Sequence, residues 1–165
     1  MVLIDNIFKE QAYFLLTQPH AELEELLTQS WEDNPEYDLT VLDGAKCLTK
    51  DDFFDEVSSR LDFPNYFGRN WDAFNDSFPE ALWNKEKLKY IITIVNADKL
   101  LMNARETDLF NMLDIIKDFI SGMSEEEDEE ETGVLVKVLF VIENIQASRI
   151  IKIMKKHSFP YQDFF

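Results

Sequence analysis

Compact apolar runs alternate along this chain with longer stretches in which apolar residues return every three or four positions. Ala12-Tyr13-Phe14-Leu15-Leu16 is one such run, stopped at Pro19, and it has the length of a buried strand. Beyond Pro19, Ala21, Leu23, Leu26, Leu27 and Trp31 follow a helical rhythm. Glu22, Glu24 and Glu25 sit near the start of that helix, where its dipole favours negative charge. Asn34-Pro35 breaks the rhythm, and Leu39-Thr40-Val41-Leu42 reads as a short strand closed by the turn dipeptide Asp43-Gly44. Thr49 is placed to cap the next helix, with Asp52 three residues on as the second half of a capping box. Phe53, Phe54, Val57 and Leu61 share one face of it, and Phe63-Pro64 ends it.

The later chain repeats the alternation. Lys89 to Val95 is β-branched and nearly continuous in apolar character, as a strand covered on both faces must be. Leu109, Met112, Leu113, Ile116 and Ile120 recur at helical spacing behind a Thr107 cap, and Val134 to Ile142 is another buried-strand run. Ile150, Ile151, Ile153 and Met154 predict a last helix before the aromatic tail Phe159 to Phe165. Strands alternating with helices predict an α/β layered domain with a small, mostly parallel sheet flanked by helices. Its three core strands fall near 39–42, 89–95 and 134–142, and residues 12–17 add an edge strand before an N-terminal helix.

Composition narrows the function classes. With 45% apolar residues and fourteen Phe in 165 residues, the chain has the material for a real core. No apolar run approaches the length of a membrane span, and Met1 to Asn6 lacks the basic start of a signal peptide. The lone Cys47 excludes an internal disulfide and fits a reducing, cytoplasmic setting. Sixteen Lys and Arg against thirty-three Asp and Glu give a net charge of −17, which repels nucleic acid and anionic membranes and attracts basic proteins. The balance is uneven: from Ile145 onward the chain carries +3, leaving −20 on residues 1–144. Seven consecutive acids, Glu125 to Glu131, predict a flexible acidic loop over 124–132.

The segment from Leu61 to Phe78 carries the most chemistry. Pro64 follows the previous helix, Gly68 offers a backbone turn, and Asn70 caps a new helix that Pro79 ends. Trp71, Phe74 and Phe78 form its buried stripe, while Asp72, Asn75 and Asp76 lie on the other side. Asp72 and Asp76, four apart, place two carboxylates on one exposed face, a mildly unfavourable pairing that hints at a use beyond stability.

This run, Phe63 through Asp76, resembles the barstar family of ribonuclease inhibitors: aromatic-Pro-x-Tyr-aromatic-Gly-x-Asn-aromatic-Asp-Ala-x-x-Asp. The order of elements around it matches as well, over roughly residues 38 to 143. The resemblance implies a cytoplasmic inhibitor or immunity protein that plugs the active site of a basic ribonuclease or related toxin, with no cofactor and no catalysis of its own. It implies that Tyr66 and Phe67 pack on the partner and that Asn70 fixes the loop. Asp72 and Asp76 would meet cationic groups, beside Asn75, with Trp83 just past the helix as an aromatic contact and Asp118 as a further acid. Residues 1–37 would then be a strand–helix extension packed on the core, 38–143 the barstar-like domain, and 144–165 a C-terminal helix and aromatic tail. Two positions depart from the pattern: Asn75 stands where the best-known member carries Trp, and Arg69 puts a cation in the loop.

Two other readings remain beside it. One is an interaction or regulatory module that keeps the fold without inhibiting a ribonuclease. The other is a metal-dependent hydrolase using Asp72, Asp76 and Asp118, since hard cations take carboxylates. No P-loop, dinucleotide fingerprint, zinc-protease helix or nucleophile elbow occurs.

Overall fold

The computed structural model describes residues 2–124 and 134–164. The acidic loop expected over 124–132 therefore lies outside the described residues, apart from Ser124, which ends a helix. In chain order the elements are α1 (Val2–Lys9), β1 (Phe14–Thr17), α2 (Ala21–Thr28), β2 (Tyr37–Asp43), α3 (Lys50–Arg60) and α4 (Trp71–Trp83). There follow β3 (Lys89–Val95), α5 (Glu106–Ser124), β4 (Leu135–Val141), α6 (Arg149–Lys156) and β5 (Tyr161–Asp163).

All five strands are parallel, in the order β2-β3-β4-β1-β5. The sheet is thus larger than the three core strands expected. The strand near 12–17 is not an edge either: β1 lies between β4 and β5, with Phe14 opposite Val138 on one side and Tyr161 on the other. The edge beyond it is taken by β5, three residues of the aromatic tail that carry no strand pattern of their own. Helix α1 likewise has no counterpart among the predicted elements.

The topology explains which helices cover which face. Steps from β2 to β3, β4 and β5 all move one way across the sheet, whereas the step from β1 back to β2 reverses. Right-handed crossovers must then fall on opposite faces. Accordingly α3 to α6 pack on the face of Leu42, Tyr90, Ile92, Ile94, Val138 and Phe140. Helices α1 and α2 cover the face of Tyr37, Ile91 and Leu139 with Ile4, Ile7, Leu23 and Leu26.

Local chemistry fixes the helix ends. The Thr49–Asp52 box forms in both directions, each bond 3.2 Å long. Gly44 is needed for space, since a Cβ there would lie 2.3 Å from the carbonyl oxygen of Asn96. Helix α5 begins at Glu106, so Thr107 sits inside its first turn rather than capping it. On the α1 face, the buried Lys137 donates to the carbonyls of Glu10 (2.6 Å) and Ala12 (2.9 Å), fastening the α1–β1 connection to β4. Burial pulls its pKa below the usual lysine value, with nearby Glu10 opposing.

Candidate functional site

Helix α3 stops through its backbone. Asp62 adopts a left-handed φ of 53°, and the Phe63 amide donates to the Ser58 carbonyl at 3.0 Å, the closing bond of a Schellman motif. This turns the chain into the 63–70 loop and drops Phe63 into the core. Phe67 follows it inward, packing edge-on against Phe63 (4.9 Å between centroids) and Phe54 (5.4 Å). It is half-buried within its own fold, so its packing is spent largely on anchoring the loop rather than left free for a partner. Tyr66, one residue earlier, projects outward with 79% of its surface exposed.

The loop's second bend is at Arg69, not Gly68. Arg69 has φ 52°, while no described glycine has a positive φ. Gly68 instead serves close packing: a Cβ there would meet the Ala73 Cβ at 3.3 Å and the Asn70 Nδ2 at 3.4 Å. The Arg69 side chain reaches back to α3, donating to Asp55 (2.6 Å) and to the Asp51 carbonyl (3.1 Å). The loop's cation is therefore committed inside the molecule. Asn70 accepts from the Ala73 amide at 2.8 Å and donates to the Gly68 carbonyl at 3.2 Å, so one side chain caps α4 and holds the loop.

Helix α4 buries Phe74, Ser77, Phe78, Ala81 and Leu82. Trp71 is only partly buried, and its Nε1 donates to Asp108 at 2.9 Å. Asp108 is nearly enclosed at the start of α5 and also faces Arg105 at 3.6 Å. Phe74 touches Phe53, Phe54, Phe63, Trp71 and Phe78, an aromatic cluster that locks loop and helix onto α3. Pro79 does not end α4 but lies within it, and the helix runs on to Trp83. Proline has no N–H, so the carbonyl of the exposed Asn75, four residues earlier, loses its i+4 helical donor.

Asp72, Asn75 and Asp76 are all exposed, as expected. Among the described residues, neither carboxylate has an ion pair or hydrogen bond. Tyr66, Asn70, Asp72, Asn75 and Asp76 are all exposed, from the loop along the outer side of α4. Trp83 lies seven residues beyond Asp76, about 10 Å along the axis. It is the last residue of α4 rather than past it, 59% exposed, and rests edge-on against Phe119 at 5.9 Å. Asp118 precedes Phe119 on α5 and points about 100° round the helix from it, so the Phe119 contact does not itself bring Asp118 onto Trp83. Lys117 sits 3.4 Å from Asp118.

Asp55, Asp108 and Phe119, which support this surface, carry no local signal in the sequence, since each acts through a partner at least fourteen residues away. The two histidines and the lone cysteine each have a place in the packing. His20 caps α2 by accepting from the Leu23 amide at 3.3 Å, and His157 packs on Phe110 at 4.5 Å. Cys47 is fully buried; burial, with Glu56 and Asp43 nearby, pushes its pKa up to about 12, far from a reactive thiolate. Among the described residues no three His, Cys, Asp or Glu side chains gather as a metal site, so Asp72, Asp76 and Asp118 do not converge. No described helix is long and apolar enough to cross a membrane.

A family model described as Barstar (barnase inhibitor) matches residues 37–140, from the first residue of β2 into β4. The chain belongs to the barstar family. No curated protein matches it. The barstar match contains the loop, α4 and α5, and so every residue of the surface just described. It leaves out β1 and β5, which complete the sheet, α1 and α2, which cover its second face, and α6, which packs on the first.

Proposed function

We propose that this barstar-family chain is a cytoplasmic, non-catalytic inhibitor whose Tyr66–Asp76 surface enters the active-site cleft of a basic ribonuclease or related toxin. The observation that carries the reading is the unpaired state of Asp72 and Asp76 on a helix fixed at its start by Asn70, Arg69 and the aromatic cluster. A cleft that binds RNA presents cations, and carboxylates carried on a fixed helix meet them without backbone rearrangement. The net charge of −17 adds long-range attraction for a basic partner. Tyr66 packs on the enzyme, the Asn75 carbonyl offers an acceptor beside Asp76, and Trp83 and Asp118 extend the contact. In this reading residues 38–143 carry the binding, and 1–37 and 144–165 are additions.

Asn75 favours a second reading. It is an exposed polar side chain at a position that is aromatic in the best-known member, and it removes a large anchor from the middle of the surface. The chain would then be an interaction module directed at another basic protein. Titrating the pure protein into a basic bacterial ribonuclease by calorimetry, with RNA cleavage read in parallel, separates the two. Stoichiometric binding with loss of cleavage supports the inhibitor. Neither binding nor inhibition by any basic ribonuclease or toxin tried would leave the module reading.

A further inference from the structure

Among the described residues the sheet ends at β2 on one side and at β5 on the other, and the surroundings of these two edges differ. Beside β2 the charges are satisfied within the chain: Lys85 holds Asp38 at 3.1 Å and Lys89 holds Glu36 at 2.6 Å. Beside β5 they are not. A groove of about 240 Å³ runs between α6 and β5, lined by Ile145, Ile151 and Tyr161, with Lys152 and Lys155 along one wall and Asp163 at the edge. Both lysines are exposed, and among the described residues neither ammonium group, nor the Asp163 carboxylate, has an ion pair or side-chain hydrogen bond. Lys9, Lys46, Lys50 and Lys99 are also unpaired among the described residues, but Lys152 and Lys155 stand together along one groove. Lys85, Lys89, Lys117, Lys156, Arg60, Arg69 and Arg105 each hold a carboxylate.

The backbone at this edge is equally available. The Phe164 amide donates inward to the Leu16 carbonyl at 2.7 Å. With two-residue alternation, Gln162 also faces β1, and Tyr161 and Asp163 turn their N–H and C=O groups away from the sheet. The side chains of Tyr161 and Asp163 meanwhile point toward α6 and form the groove.

We propose that the β5 edge docks an extended acidic segment of a partner protein, added to the sheet as a sixth strand. Tyr161 and Asp163 supply main-chain hydrogen bonds, Lys152 and Lys155 take alternate carboxylates, and the groove receives one apolar side chain. A second copy of the chain is disfavoured by the self-repulsion of two molecules at −17 each. A short acidic segment feels chiefly the lysines within a Debye length, about 8 Å at physiological salt. The site lies outside residues 37–140 and is independent of the ribonuclease reading. Lysines near an edge can also serve only to repel other strands, but such an edge binds no peptide.

The test uses the full chain and a fluorescein-labelled peptide of about ten residues that alternates Val and Glu, a typical strand length or slightly more. Fluorescence anisotropy should show binding that weakens roughly tenfold when both Lys152→Glu and Lys155→Glu are introduced, with an unchanged melting temperature. The same peptide with proline at alternate positions should not bind, and the Tyr161 and Asp163 amides should gain exchange protection on binding. Absence of binding by the Val/Glu peptide, equal binding by a Val/Lys peptide, or indifference to the double substitution would each overturn the proposal. Self-association through β5 in sedimentation would overturn it in favour of a second copy.

Discussion

The exposed sides of α4 and α5 carry similar numbers of acids and use them differently. On α5, Lys117 lies 3.3 Å from Asp114 and 3.4 Å from Asp118, so one lysine of the helix is shared between two of its carboxylates. On α4, Asp72 and Asp76 have no cation among the described residues, and the nearest basic residue in sequence, Arg69, is turned away onto Asp55. In a protein of net charge −17, the number of acids on a surface says little about where a basic partner binds. An uncompensated pair on a rigid element says more. The contrast also ranks the residues of the proposed interface, because Asp118 brings its counter-ion along and Asp76 does not.

If that ranking holds, Asp76→Ala has the largest effect. It would leave a cationic group of the ribonuclease buried and unpaired, a loss of about 3–5 kcal/mol of binding free energy. That size is borrowed from general experience with buried charge pairs, of which the barnase–barstar complex is the reference case, and calorimetry would measure it. Asp72→Ala should weaken binding by about 1–3 kcal/mol, as loss of a charge-assisted hydrogen bond does. It should also cost up to about 1 kcal/mol of stability in thermal denaturation, because it removes an acid from the first turn of α4.

Trp71→Phe tests the buried side of the same helix. It keeps the ring and deletes the bond to the enclosed Asp108, so stability should fall by about 1–3 kcal/mol. Affinity for the ribonuclease, measured well below the lowered melting temperature, should stay near that of the unsubstituted protein. The smallest effect belongs to α5: Asp118→Ala should change binding by less than about 1 kcal/mol, since it exchanges one exposed, already paired charge. An Asp118 effect as large as that of Asp76 would erase the distinction between the two helices.

Where physical signals are local, the sequence foretells the structure closely. Strand β3 matches its predicted span because a strand buried on both faces needs a continuous apolar run. The box at Thr49 forms because donor and acceptor lie three residues apart. On α4 the buried and exposed sides separate as the spacing of Phe74, Phe78, Asp72 and Asp76 requires. What escapes is set by distant partners. The interior place of β1 depends on β5, more than 140 residues later, whose Tyr161–Asp163 has neither length nor pattern to announce a strand. Trp71 has the spacing of a core residue, yet its indole N–H needs an acceptor, and Asp108 is 37 positions away. The bend fell to Arg69 instead of Gly68 because two hydrogen bonds to α3 hold that arginine in a left-handed conformation.

The reading stands on whether the α4 surface occupies a ribonuclease active site, and competition measures that directly. The affinity of the chain for a basic ribonuclease is determined by calorimetry with and without a mononucleotide that saturates the enzyme's substrate site. Mutually exclusive binding is the expected result, with the apparent dissociation constant rising in proportion to nucleotide concentration. An affinity unchanged by saturating nucleotide would place the chain elsewhere on the enzyme and contradict the proposed mode of inhibition.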